Sequence, residues 1–318
     1  MRKALGAAAL GCGIFFSAAA PGGEILPDAG TIPSAMVQRL LIVDARRVGN
    51  RIVAVGDHGY IVLSDDGGKS WRRAKAPAAP LLTGVDFLDD KQGLAVGHDG
   101  TILETSDGGE TWTQRLSDTK AQGPLLDVAF VQKDLAIAVG SYGAYYESTD
   151  GGKTWAARKI TADDKHFNAI VPLGDGRLMI FGEAGTILAS TDSGKTWAPV
   201  ASPYQGSFFG AQLAADGAIV TYGMRGHILR STDKGRTWQA VDNASNASLL
   251  GSDRLPDGSL VLAGAAGTAL VSRDNGVSFQ PIDTRTTRTL TKPLPGSAST
   301  VLLLGETGPR EAALAPRK

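Results

Sequence analysis

Cysteine is all but missing: Cys12 is the only one in 318 residues. It sits inside an N-terminal stretch that reads as a secretory leader. Arg2 and Lys3 precede an apolar run at 4–16, and small residues follow at 17–20. The expected division is a leader at 1–20 and one mature domain at 21–318. Without its leader the chain has no cysteine, which excludes a disulfide framework and a thiol nucleophile. Retention of the stretch as an anchor is the alternative, although its apolar run is short and glycine-bearing for a membrane span. Ala9-Leu10-Gly11 ahead of Cys12 fit a lipoprotein signal poorly. No second apolar run of spanning length follows, so the mature domain is expected to be exported and soluble.

Net charge is also missing. Thirty-two Lys and Arg balance 32 Asp and Glu. That balance excludes a sequence-independent attraction to nucleic acid or an anionic membrane. Histidine is scarce, with His58, His98, His166 and His227 standing far apart. A metal site needs convergent ligands, so no metal and no cofactor are expected.

What the chain has in quantity is glycine, 41 residues, placed periodically. A Gly-x-x-Gly element begins at Gly56, Gly97, Gly140, Gly182, Gly223, Gly264 and Gly305, every 41 to 43 residues. About fifteen residues after the start of each of the first six stands the aromatic that ends a box of the form Ser148-Thr149-Asp150-Gly151-Gly152-Lys153-Thr154-Trp155. Its aspartates are Asp66, Asp107, Asp150, Asp192, Asp233 and, in a weakened copy before Phe279, Asp274. A period in this range with four short strands per unit is the mark of a β-propeller. In unit two, strand A is read at 81–87, strand B at 92–96, strand C at 101–105 and strand D at 111–114, with Gly97 to Gly100 as the turn between B and C.

The fold class is therefore all-β, a seven-bladed β-propeller with the first blade starting near Leu40. The chain ends too soon to complete blade seven. Its strand B is read at 300–304 and its strand C at 310–314, with no room for strand D. The segment at 24–35 is expected to supply the missing outer strand, where Pro27 and Pro33 are tolerated because an edge strand leaves one side unpaired.

The box is best read as a structural staple. Its aspartate can accept backbone N–H groups across a tight turn. A calcium loop needs oxygen side chains at alternating positions, and each box has one central acid, with Asp65 a neighbour only in the first. Gly-x-x-Gly joins two strands and opens no helix, so a dinucleotide reading fails. A sialidase-like hydrolase, the alternative function, needs a Tyr–Glu nucleophile pair and three arginines. Tyr145-Tyr146-Glu147 offers those residue types, but adjacent residues of a strand face opposite ways. The long insertions that would shape such an active site are also absent.

These boxes resemble the Asp-box, or BNR, repeats of sialidases and related propellers. The pairing of Gly-x-x-Gly with the box, as in the run from Gly182 to Trp197, is more similar to the photosystem II assembly and stability factor family, over nearly all of residues 40–308. The resemblance implies a non-enzymatic protein of the periplasm, or of the thylakoid lumen in a photosynthetic host. It implies a membrane protein or its assembly intermediate as partner; an accessory role beside a membrane exporter fits the same propeller type. A monomer is expected.

In a four-stranded blade the turns between B and C share one face with the D-to-A loops, and the boxes lie on the other. The seven Gly-x-x-Gly turns thus form a rosette that differs from blade to blade, as a docking face requires. The candidate partner-binding residues are Asp57, His58, His98, Asp99, Tyr142, Glu183, Arg225 and Glu306, with Ser141 and Met224 beside them. Arg225 corresponds to a basic patch that the family resemblance implies. Phe167, Phe208, Phe209, Leu249 and Leu250 start strands A near this face and are read as packing between blades.

Overall fold

The apolar run before each Gly-x-x-Gly becomes strand B, buried along its length in blades two and three as Gly93–Gly97 and Ala136–Gly140. A strand covered on both faces needs such an unbroken apolar run. The computed structural model describes residues 30–118, 123–297 and 299–315. The expected leader and residues 24–29 of the expected closing strand lie outside them. The described residues form seven antiparallel sheets, six of four strands and one of three, each strand pairing with its sequence neighbour. In blade two strands A to D are Leu82–Phe87, Gly93–Gly97, Ile102–Thr105 and Thr113–Leu116. Strand A of each blade contacts strand A of the next, and blade seven contacts blade one. The seven-bladed all-β propeller is as expected.

Both glycines of each Gly-x-x-Gly are required, for different reasons. The first has extended φ, as at Gly264 (φ −168°), so its backbone suits any residue. What excludes a side chain is contact: a Cβ there would lie 2.1 Å from the Ser248 carbonyl oxygen, where strand A begins. Strand A bulges at this point in blade six, between Leu249 and Gly251. The last glycine has φ between 58° and 73° in all seven turns, the left-handed region that glycine enters freely. In most blades it also abuts a carbonyl of the following D-to-A segment, as Gly267 does with Thr286.

The box is stapled from within. The Ser148 hydroxyl donates to Asp150 Oδ1 at 2.8 Å and accepts the Gly152 N–H at 2.8 Å. Asp150 also accepts the Thr154 N–H and hydroxyl at 2.9 and 2.7 Å. The second glycine of the box seats on strand B of the preceding blade, with Gly152 over Leu94 and Gly235 over Met179. The tryptophan wedges into the same joint: Trp197 meets Tyr145 and Trp238 meets Phe181, edge to face at 6.1 and 5.8 Å. Each box therefore joins two blades as well as closing one hairpin.

These bonds hold the box carboxylates below their ordinary range. Ser70 holds Asp66 at about 2 through its hydroxyl and N–H, and Thr154 and Thr196 do the same for Asp150 and Asp192. Asp233 is lowered further by Thr237. At Asp107 and Asp274 burial opposes the shift, and the hydroxyls of Thr111 and Ser278 overcome it. A folded pKa below the unfolded one gives stability that is present above about pH 4 and is lost as pH falls toward 2. Acid unfolding monitored by circular dichroism is expected to be steep, with the boxes taking up about six protons. Asp150→Asn should make it shallower by about one proton, and an unchanged slope would refute the staple.

The expected strand at 24–35 needs correction in its described part. Blade seven has three strands among the described residues, Leu290–Pro295, Thr300–Gly305 and Arg310–Ala313. Thr31 bridges instead to Arg72 of blade one, and the Ile32 N–H donates to the Trp71 carbonyl at 2.7 Å. Pro33 then opens a four-residue helix, Ser34–Val37. Proline has no N–H to give a ladder. The segment still ties the ends of the ring: Gln38 donates to the Pro309 carbonyl at 3.0 Å, and the Gly308 N–H to that of Leu40 at 3.0 Å.

Candidate functional site

The rosette is built from one backbone shape used repeatedly. Between strands B and C five turns form a single 3-10 turn, and in these and in the turn that begins at Gly182 the residue before the last glycine takes a left-handed conformation. That residue is His58, Asp99, Tyr142, Ala184, Arg225 or Ala266, with φ between 50° and 56°. All six are exposed. Side chains other than glycine, Asn and Asp rarely adopt this conformation, yet four other residue types hold it here. The frame imposes the geometry and leaves the side chain free to vary.

The other predicted residues divide. His98 is exposed beside Asp99, while Ser141 is buried and Met224 half-buried. Asp57 accepts the His58 N–H at 2.8 Å and lies 3.1 Å from His58 Nδ1. Glu183 and Glu306 direct their carboxylates inward, accepting the N–H of His166 at 2.9 Å and of Thr289 at 3.2 Å. They brace the start of strand A, and after Glu183 the exposed position is Ala184. Phe167, Phe208 and Leu249 are buried between blades, with Phe209 and Leu250 half-buried.

Aromatic pairs on this face escaped the sequence reading. Tyr142, 52% exposed, meets His166 edge-on at 4.8 Å. Tyr204 stacks on His227 at 3.9 Å and donates its hydroxyl to the Met224 carbonyl, beside Arg225. His58 stacks on Tyr60 at 5.7 Å, and the Arg73 guanidinium lies 4.8 Å from the Tyr60 ring. Three of the four histidines thus touch tyrosine rings. A flat amphipathic surface with cationic neighbours suits the recognition of peptide segments. The available signal was local: Tyr60 and His227 each follow the last glycine of a turn.

Inside the ring the strands A carry charges that the sequence reading also passed over. Asp44 accepts the Val85 N–H at 3.1 Å, Asp86 that of Phe130 at 3.0 Å and Asp127 that of Ile170 at 2.9 Å. Each carboxylate covers a donor on the next blade's inner strand edge, which would otherwise be unpaired. Lys292 lies 3.3 Å from Asp44, and Arg46 lies 3.2 Å from Asp86. Burial raises Asp44, but Lys292 and Arg46 overcome it and leave its pKa lowered. Burial pushes Asp127 up to about 7. This network serves ring closure, and among the described residues no group of three or more His, Asp and Glu side chains is placed to hold a metal ion.

Of the two candidate nucleophiles Tyr146 does not pair with Glu147, and Tyr145 does so only from a buried position. Tyr146 turns to Asp118 at 3.0 Å, away from Glu147. Tyr145 shares a face with Glu147 at 3.4 Å, but it is buried, and burial pushes its phenol up to about 12, away from activation.

The family described as photosynthesis system II assembly factor YCF48 matches the chain over two stretches, residues 69–124 and 117–292. No curated protein sequence matches it. Among solved structures, YCF48 bound to D1 peptide superimposes with a TM-score of 0.67 at 22% identity, covering 88% of this chain and 93% of that one. YCF48 from Cyanidioschyzon merolae gives a TM-score of 0.69 at 18% identity, with coverages of 90% and 98%. The GH74 enzyme of Niastella koreensis is similar with a TM-score of 0.65 at 17% identity, but this chain spans only 43% of it. These structural likenesses concern the fold.

Proposed function

The chain belongs to the photosynthesis system II assembly factor YCF48 family, and from that premise we propose that it is an exported, non-catalytic propeller that docks a membrane protein or its assembly intermediate. The leader-like stretch at 1–20 supports export, to the periplasm or to the lumen of a thylakoid. One observation carries the docking role: six exposed side chains of five residue types stand at the same left-handed turn position on one face. A rigid frame with a variable display is how a propeller acquires a partner without altering its core. The YCF48 structure bound to D1 peptide supports a peptide segment as the ligand type. The burial of Tyr145, the tyrosine that reaches Glu147, speaks against the hydrolase reading.

The experiment compares three proteins by cross-linking and affinity capture from solubilised host membranes. The parent chain is expected to recover a defined membrane protein. Tyr142→Ala combined with Arg225→Glu should reduce recovery at least ~10-fold, the effect of losing about 1.4 kcal/mol of binding. Lys195→Glu, in a box on the opposite face, should leave it unchanged. Equal recovery by all three proteins would remove the rosette from the interface.

A further inference from the structure

The four histidines of the sequence stand far apart along the chain, yet the fold brings all of them to the rosette face. His58 and His98 lie in the turns Asp57–Gly59 and His98–Gly100. His166 stands immediately before strand A of blade four, and its ring meets Tyr142 of the third turn at 4.8 Å. His227 follows the last glycine of the turn Met224–Gly226 and stacks on Tyr204 at 3.9 Å. His58, His98 and His227 are exposed and His166 is half-buried. The box face therefore has no histidine. Histidine is the side chain whose charge ordinarily changes between pH 5 and 8. The staple carboxylates of the box face change theirs well below that range. Mild acid thus recharges one face of the ring and leaves the other nearly as it was.

The neighbours of each histidine set what that charge does. His58 Nδ1 lies 3.1 Å from Asp57, and its ring stacks on Tyr60, with the Arg73 guanidinium over the Tyr60 ring. The segment at 76–81, which abuts this turn at Ala79, has no charged residue. His98 adjoins Asp99. Of the carboxylates on the elements packed against that turn, Asp127 is turned to the Ile170 N–H and Asp118 to the Tyr146 hydroxyl. His166 gives its N–H to Glu183, and the charges just before it are paired, Lys165 with Asp163 and Lys159 with Asp164, each at 3.7 Å. His227 lies beside Arg225, with Asp242 in the segment that follows and Asp253 and Arg254 at the far end of the next blade's strand A. At neutral pH the turns thus oppose an anion at Asp57 and Asp99 and attract one at Arg225. Protonated His58 and His98 offset the two carboxylates. Protonated His227 gives Arg225 a second cation, held over the Tyr204 ring by cation–π attraction, and His166 adds a charge beside Tyr142.

Resting on the docking reading of this face, we propose that the segment it takes is acidic and that the four histidines make the rosette hold that segment more tightly as pH falls from 8 toward 5. The sign follows from linkage. Bound carboxylates favour the charged form of each histidine, so binding takes up protons and affinity rises as protons become available. The Asp and Glu of the segment stay ionised down to about pH 5, so acid in this range charges the rosette without discharging its ligand. Tyr142, Tyr204 and Tyr60 supply amphipathic surface for apolar or aromatic residues interleaved with the acids.

The test uses the full chain and the labelled peptide acetyl-Leu-Asp-Glu-Phe-Glu-Asp-Leu-amide, with a counterpart carrying Asn for Asp and Gln for Glu. Titrations at about pH 7.5 and about pH 5.5 are read by fluorescence anisotropy, and the histidine ring signals are followed by NMR. The acidic peptide is expected to bind at least ~10-fold tighter at the lower pH, which two histidines whose titration midpoints rise by about one pH unit each would supply. That upward movement should be seen in the ring signals of the parent complex, a readout that needs no variant to fold. The amide counterpart should show neither effect. Combining His58→Gln, His98→Gln, His166→Gln and His227→Gln should flatten the dependence to less than ~2-fold, and Lys195→Glu on the opposite face should keep it. Equal affinity at the two pH values, or unmoved histidine midpoints, would overturn the proposal. So would binding of the amide counterpart as tight as that of the acidic peptide, or no binding of the acidic peptide at either pH. Tighter binding to vesicles of anionic lipid than to the peptide would assign the face to a membrane surface and overturn it as well. The docking reading is judged separately, by capture of the membrane protein with the Tyr142 and Arg225 variant, so its failure and failure of the histidine role are told apart.

Discussion

Gly264→Ala is expected to cost more than about 3 kcal/mol of folding stability, or to prevent folding, from the addition of one methyl group. The residue is extended, so alanine meets no dihedral penalty. The new Cβ would lie 2.1 Å from the Ser248 carbonyl oxygen and 2.9 Å from Leu249 Cα. Both are backbone atoms, and no rotamer change relieves the clash. The bulge that opens strand A must move, and with it the inner ring of the propeller. Gly49→Ala is the control. Gly49 has φ +60°, and a methyl group added there would meet nothing within 4 Å, so it bears only the left-handed penalty of about 1–2 kcal/mol. Urea unfolding followed by tryptophan fluorescence distinguishes them. Similar losses in the two variants would mean that close approach is not why the first glycine is there.

Lys292→Met is expected to cost about 3 kcal/mol at pH 7, in the range for breaking a buried pair by removing one partner. Lys292 has 8% and Asp44 16% of its side chain exposed. Methionine fills most of the volume, so the loss is electrical. Asp44 keeps the Val85 N–H and Arg46, but burial then acts on it with less opposition and its folded pKa rises toward or past the unfolded value. The sign follows. In the parent, the lowered Asp44 pKa supports stability above about pH 4 that fades as pH falls. In the variant that support is gone, so parent and variant should converge in acid. Adding Asp44→Asn should recover much of the loss, because a neutral amide no longer needs a cation and its oxygen still accepts from Val85. Denaturant unfolding of all four members of the cycle at pH 3 and pH 7 measures this. A loss as large at pH 3, or no recovery in the double variant, would show that packing at Lys292 matters and its charge does not.

Much of the fold was legible because its signals are periodic. Seven copies of Gly-x-x-Gly and six boxes set blade number, strand order and the two faces, and the start of strand D moved by only two residues in blade two. The described end of the closing segment, from residue 30 on, was misjudged because its pairing depends on the hydrogen-bond supply of Ile32 and Pro33, which no repeat encodes. The charges inside the ring were missed for another reason. A lone Asp44, Asp127 or Lys292 in an alternating strand looks the same whether it faces water or a ring interior. At the candidate site the exposed turn residues were readable from the repeat. The stack of Tyr204 on His227 was not, since it joins two loops 23 positions apart in sequence. The inward turn of Glu183 and Glu306 was hidden as well, because a carboxylate in a turn reads as solvated until its backbone donor is seen.

Six of the seven joints between blades are also spanned by the polypeptide itself. The joint between blades seven and one is a clasp, held by Arg47 on the Pro295 carbonyl, Thr291 on that of Ile42, Gln38 on that of Pro309 and Lys292 on Asp44. A ring with one unfastened link has a preferred place to part. The lifetime of the closed molecule is governed by how often that clasp slips, whereas the total strength of the blades governs the equilibrium. Anything that grips both sides of the clasp would lengthen the lifetime of the ring without adding to any blade.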